Sequence, residues 1–229
     1  MARNALASTV LAFALSVTMA GSASASLTVG VPGGAPVTVP FFANTGTTST
    51  PSFEFEQIYS SSAFSGPLTI NSLTFFAPPG GDPTLAGDYD FVLGTTTSPL
   101  FSTYPLALSN TQTFRNGAIG AHSGDLMLSG APYAYNPADG NLVVEIIVTN
   151  QANIAVTNGG GFYSDKDGLM SRTWLFPGQA AVVSARGLVT EFNGPGLVPE
   201  PATWTLMLAG FAGLGVLLRA RRKDAMIVA

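Results

Sequence analysis

The 229 residues contain no cysteine and one histidine, and only 10% of them are charged. Without cysteine there is no disulfide framework, no thiolate nucleophile and no cysteine-based metal site. One histidine and no cysteine also rule out a histidine zinc centre. His122 is the only imidazole that a Ser-His-Asp triad could use. Its neighbour Ser123 has no Gly-x-Ser-x-Gly context, so no catalysis is expected there. Neither a Gly-x-Gly-x-x-Gly fingerprint nor a P-loop occurs, which removes the usual grounds for nucleotide chemistry.

Basic residues are scarce in the middle of the chain. Between Ser26 and Val198 stand only Arg115, Lys166, Arg172 and Arg186, against eleven acidic residues, a net charge of −7. Nucleic-acid binding needs clustered lysine and arginine to neutralise phosphates, so nucleic acid is not an expected partner. No window of twelve or more residues here holds a helical period, and no internal repeat is present. Apolar residues, by contrast, are plentiful. Hydrophobic side chains make up 46% of the chain, with 15 Phe among them, interleaved with 26 Gly and 16 Pro. A disordered chain would be poor in them, so residues 26–198 are expected to form a core.

Both ends carry uncharged runs. After Arg3 and Asn4, the run Ala5–Ala20 is apolar, and Gly21-Ser22-Ala23-Ser24-Ala25 follows it. A basic start, an apolar run and small residues at Ala23 and Ala25 make a secretion signal over 1–25, cut by signal peptidase to leave Ser26 first. At the other end, Pro201–Leu218 holds no charged residue, and Arg219, Arg221, Arg222 and Lys223 follow at once. As a helix this run would span about 27 Å, close to the roughly 30 Å of a bilayer core. Trp204 stands where an interfacial aromatic belongs, and the basic cluster stands where the positive-inside rule places the cytoplasm. One transmembrane helix is therefore expected over about 202–218, with a cytoplasmic tail over 224–229.

Pro199-Glu200-Pro201, then Trp204, a short Gly- and Leu-rich run and the terminal basic cluster together resemble the PEP-CTERM sorting signal. The resemblance covers residues 199–223; the tail after Lys223 is longer than is usual for that signal. It implies a Gram-negative exported protein that is anchored in the inner membrane and presented to an exosortase. That membrane protease acts near the Pro-Glu-Pro, and the protein then passes to the cell surface or the medium. Association with exopolysaccharide is a further expectation of the resemblance.

The middle alternates apolar runs with turn residues. The runs are Val37–Phe42, Phe53–Glu56, Leu68–Phe76, Asp88–Leu93, Leu142–Thr149, Thr173–Phe176, Ala181–Val183 and Leu188–Phe192. Short strands at this spacing, with Gly, Pro, Asn and Asp between them, predict an all-β antiparallel sandwich or jelly roll over 26–192. Leu142–Thr149 is the most β-branched run and is expected to be central. A Gly/Pro linker follows at 193–198. In Tyr135–Leu142, Pro137 suits the first turn position and Gly140 a positive φ. This turn, with Phe114-Arg115-Asn116-Gly117 upstream, resembles β-sandwich ectodomains of anchored bacterial surface proteins. That resemblance implies a fold and a surface context, with no activity attached.

Some residues invite chemistry. Glu54 and Glu56 project from one strand face about 7 Å apart, a separation a glycosidase could use, although a solvent-facing strand edge is the plainer expectation. Asp88 and Asp90 share that geometry. Asp165-Lys166-Asp167-Gly168 has the spacing that opens some calcium loops, but lacks the third oxygen position and closing glutamate of an EF-hand. A surface turn is expected there, with a partial calcium site as the alternative, and no cofactor is expected elsewhere. Tyr133, Tyr135, Tyr163 and Trp174 are read as packing residues before sugar-stacking ones. The chain is thus expected to be a non-enzymatic surface or matrix protein. The rivals are a secreted carbohydrate-binding module, marked by coplanar exposed aromatics, and a secreted hydrolase, marked by carboxylates converging from different strands.

Overall fold

Alternation along the chain becomes pairing across it. The computed structural model describes residues 26–41, 52–80, 84–152 and 161–193, all within one compact unit, Ser24–Pro199. The secretion signal, the sorting motif with its transmembrane run, the tail and all of the linker except Asn193 lie outside the described residues. Among the described residues the fold is all-β and antiparallel, with two single-turn 3-10 helices, Ser61–Ala63 and Pro137–Asp139. None of the helices described is long and apolar enough to cross a membrane.

The larger sheet runs β12 (Val182–Ser184), β11 (Met170–Leu175), β3 (Phe53–Tyr59), β9 (Asn141–Thr149), β5 (Gly87–Thr96) and β6 (Ser109–Arg115), with β7 (Ala118–Ile119) also on β5. The opposing sheet runs β1 (Leu27–Val29), β14 (Thr190–Phe192), β4 (Leu68–Phe75) and β8 (Leu126–Tyr135). A small sheet joins β13 (Gly187–Leu188), β10 (Phe162–Asp165) and β2 (Pro36–Val37). As its branching implied, β9 lies between β3 and β5 inside the larger sheet. The Val37–Phe42 run is shorter as a strand than expected: β2 ends at Val37, and Pro40 has no amide hydrogen to extend a ladder.

The period of two places the core. Phe53, Phe55 and Tyr59 of β3 and Val144, Ile146 and Val148 of β9 are buried together with Leu73 and Phe75 of β4 and Phe192 of β14. Tyr59 meets Phe192 edge-on at 5.1 Å between ring centroids. Its hydroxyl donates to Thr190 Oγ1 at 2.6 Å, which satisfies the one polar atom the ring brings inside. The turn into β9 has the predicted chemistry. Asn136 Oδ1 accepts from the Ala138 amide, and Gly140 sits at φ 119°, where a Cβ would stand 2.5 Å from the Thr96 carbonyl oxygen.

Gln57 ties β13 to the larger sheet. Its side-chain amide donates to the Leu188 carbonyl at 2.8 Å and accepts from the Leu188 amide at 2.7 Å, copying a backbone pair. Replacing Gln57 with leucine fills the volume but leaves the Leu188 groups without this partner in the interior. The expected cost is about 2–4 kcal/mol, read as a lower urea midpoint at unchanged slope. An unchanged midpoint would mean that water or backbone replaces the amide.

Candidate functional site

The other face of the larger sheet is where the acids gather. Glu54 and Glu56 on β3 and Glu145 on β9 share it, and Glu56 pairs directly opposite Glu145. The sequence reading of Glu54 and Glu56 as a solvent-facing strand edge is overturned. β3 is an interior strand, and Glu56 is 1% exposed. The cover is the connection from β5 to β6, residues 97–108, which lies across this face as a strap.

Backbone amides along the strap find side-chain acceptors on the sheet. Phe101 N donates to Ser171 Oγ at 2.9 Å, Tyr104 N to Thr173 Oγ1 at 3.0 Å, and Leu106 N to both Glu56 carboxylate oxygens at 3.2 Å. Leu100, Leu106 and Leu108 pack on Ile58 and Val143, forming a second, smaller core beneath the strap. Each polar anchor thus has an apolar neighbour, so the strap is fixed by burial as well as by hydrogen bonds.

Burial dominates the electrostatics. It pushes the Glu56 carboxyl up to about 7; the Leu106 amide opposes this, and the Glu145 and Glu54 charges add to it. Burial and Glu54 raise Glu145 in the same direction. The Tyr104 hydroxyl lies within hydrogen-bonding reach of Glu54, and burial and that carboxylate hold its proton on. A carboxyl near 7 is tuned for general acid work. Here its oxygens are bonded to the strap that covers it, so a substrate would reach it only after the strap lifted. Carboxylates from two strands do converge, which the sequence had reserved as the mark of a hydrolase, but they converge beneath a packed cover.

The remaining candidates are engaged elsewhere. Asp165 accepts from the Val31 amide at 2.8 Å and from the Lys166 amide at 2.6 Å, and Asp167 accepts from the Leu169 amide at 2.8 Å. Both carboxylates therefore hold a turn. Among the described residues, no group of three His, Cys, Asp or Glu is placed to hold a metal ion. Asp88 accepts from Asn150, Asp90 is exposed, and the His122 ring bonds the Asp125 carbonyl at 2.7 Å. Tyr133 and Tyr135 are buried, and Tyr163 and Trp174 are half-buried. Phe101, 51% exposed, is the one aromatic among the exposed large hydrophobic residues described. The row of coplanar exposed aromatics that would mark a sugar-stacking groove is not found among the described residues.

The residues given sorting and processing roles, namely Ala23, Ala25, Pro199, Glu200, Pro201, Trp204, Arg219, Arg221, Arg222 and Lys223, lie outside the described residues. The C-terminal set falls within a segment that the comparison with protein families matches. The family model of the PEP-CTERM protein-sorting motif matches residues 197–223, so the chain carries that sorting motif. No curated protein and no solved structure matches the chain. The motif implies an exported protein that is anchored in a membrane before an exosortase processes it.

Proposed function

We propose that this chain is a non-enzymatic surface or extracellular-matrix protein. Its β-sandwich ectodomain is held at the periplasmic face of the inner membrane, then moved to the cell surface or the medium by an exosortase. The observation that carries this reading is the sorting motif at residues 197–223. Signal peptidase at Ala23–Ala25 and the exosortase at Pro199–Pro201 are the processing partners, and the bilayer holds residues 202–218, C-terminal to both cuts, until the exosortase acts. Extracellular polysaccharide is the proposed surrounding of the displayed domain. The carboxylate group beneath the strap supports a structural role over hydrolysis, because Glu56 spends both oxygens on the Leu106 amide.

Expression in a host with and without its exosortase, followed by fractionation, tests the proposal. With the enzyme, the chain is expected to appear shortened and outside the inner membrane. Without it, a longer form should collect in the inner membrane. The same size and fraction in both hosts would overturn the reading.

A further inference from the structure

Arg172 is a cation in an unusual position. It lies on β11, pairs across the sheet with Gln57 and Ser184, and is only 7% exposed. A guanidinium carries five N–H donors and stays charged, and a buried charge ordinarily sits against a carboxylate. Arg172 instead gives one long hydrogen bond, from Nη1 to the Val39 carbonyl at 3.3 Å, while its buried Nε has no partner among the described residues. The charge felt most strongly at Arg172 is another cation, Arg186. Together with burial it holds the Arg172 proton less tightly than usual, at about 10, so the group is still cationic at neutral pH. Arg186 is half-buried in the turn between β12 and β13. The Trp174 ring lies beneath the guanidinium, with its centroid 5.0 Å from Cζ. Two of the four basic residues in a strongly acidic domain are thus neighbours in the fold, because Arg186 follows Ser184, the cross-strand partner of Arg172, by two residues. Arg172 is buried and donor-rich, and no ion pair with an acid is found for it among the described residues.

We infer that Arg172 and Arg186 form a binding site for a carboxylate group, with the half-buried Trp174 ring as its floor. The planar guanidinium fork matches a planar carboxylate in two parallel hydrogen bonds, and stacking on an indole fixes the plane in which that carboxylate must lie. A flat anion fits this arrangement better than a tetrahedral one. A bound carboxylate would supply the counter-charge that Arg172 lacks and give Arg186 a partner. The carboxylate could belong to a small free acid or to an acidic sugar within a polymer.

Calorimetric titration of the full chain in detergent micelles tests the inference. The probes are sodium glucuronate, a glucuronate hexamer, inorganic phosphate and a neutral gluco-oligosaccharide. Saturable binding of glucuronate is expected, with phosphate at least tenfold weaker and no binding of the neutral sugar. Tenfold tighter binding of the hexamer would assign the carboxylate to a polymer, and equal binding would assign it to a free acid; both support the site. Arg172→Met keeps the length and apolar stem of the side chain and should abolish binding. Arg186→Gln, in a partly exposed turn, should weaken binding at least tenfold while the melting transition stays cooperative. The inference fails if neither glucuronate form binds, if the neutral sugar or phosphate binds as well as glucuronate, or if folded Arg186→Gln binds like the parent chain.

Discussion

A chain in which Pro199, Glu200 and Pro201 are all alanine is expected to remain unprocessed by the exosortase, in the inner membrane, in a host that processes the parent chain to a released form. The argument is one of shape and position. Pro201 has no amide hydrogen and disfavours helical geometry at the residue before it, Glu200, while Pro199 adds a second break. Three alanines instead let a helix from the apolar run continue toward the ectodomain, and a protease needs extended backbone at its cut. The basic cluster has a separate job. Carrying each cation into the bilayer centre costs about 2.5–3.5 kcal/mol on insertion scales, so Arg219, Arg221, Arg222 and Lys223 are expected to halt export together. Making those four neutral should loosen retention or topology while Pro199-Glu200-Pro201 stays intact. The two variants therefore fail in different fractions. If the alanine chain is processed and released like its parent, the motif is not the exosortase's handle.

Local chemistry was legible in the sequence, and long-range cover was not. The Phe53–Glu56 alternation, the β-branched 142–149 run and the Asn136–Gly140 turn each express a preference within a few residues, and each is found in β3, β9 and the turn between β8 and β9. β8 and β6 were missed for opposite reasons. Gly130 and Pro132 look like breakers, yet β8 is an edge strand whose ladder to β4 shifts register there, so a missing amide hydrogen costs little. β6, at the other sheet's edge, is too polar to signal a strand. Glu56 shows the deeper limit. Alternation put its side chain on the face away from the aromatic core, as found, but nothing near it in sequence says that a strap some fifty residues on will cover that face. The weak signal was there, in Leu100, Leu106 and Leu108 within a segment bounded by turn residues. Arg172, between the hydroxyl residues Ser171 and Thr173 in β11, carries no signal in its sequence neighbourhood that it is buried or that Arg186 lies near it.

The covered carboxyl sets how the ectodomain should respond to pH. Burial raises Glu56 from 4.5 to about 7, with Glu145 on β9 and Glu54 on β3 facing it and Tyr104 of the strap beside Glu54. The β11 residues nearest the strap, Ser171 and Thr173, are uncharged. Between about pH 4.5 and 7, the folded chain keeps a proton that the unfolded chain has lost. Folding is therefore most favoured below that window, and stability drains away as pH rises through 7. The full shift would be worth about 3 kcal/mol; shared titration with Glu145 and Glu54, and solvent at the strap's edge, bring the expected loss from pH 5 to 8 to roughly 2 kcal/mol. Glu56→Gln separates the charge from the hydrogen bond. Its side-chain carbonyl still accepts from Leu106 N but carries no charge, so the variant should match the parent at pH 5 and exceed it by about 1–2 kcal/mol at pH 8. Urea unfolding at the two pH values reads both numbers. Amide exchange at Leu106, measured against its intrinsic pH dependence, reports whether the strap is what loosens. A parent chain as stable at pH 8 as at pH 5, or a variant with the parent's slope, would mean that Glu56 stays ionised beneath the strap and that the Leu106 amide outweighs its burial.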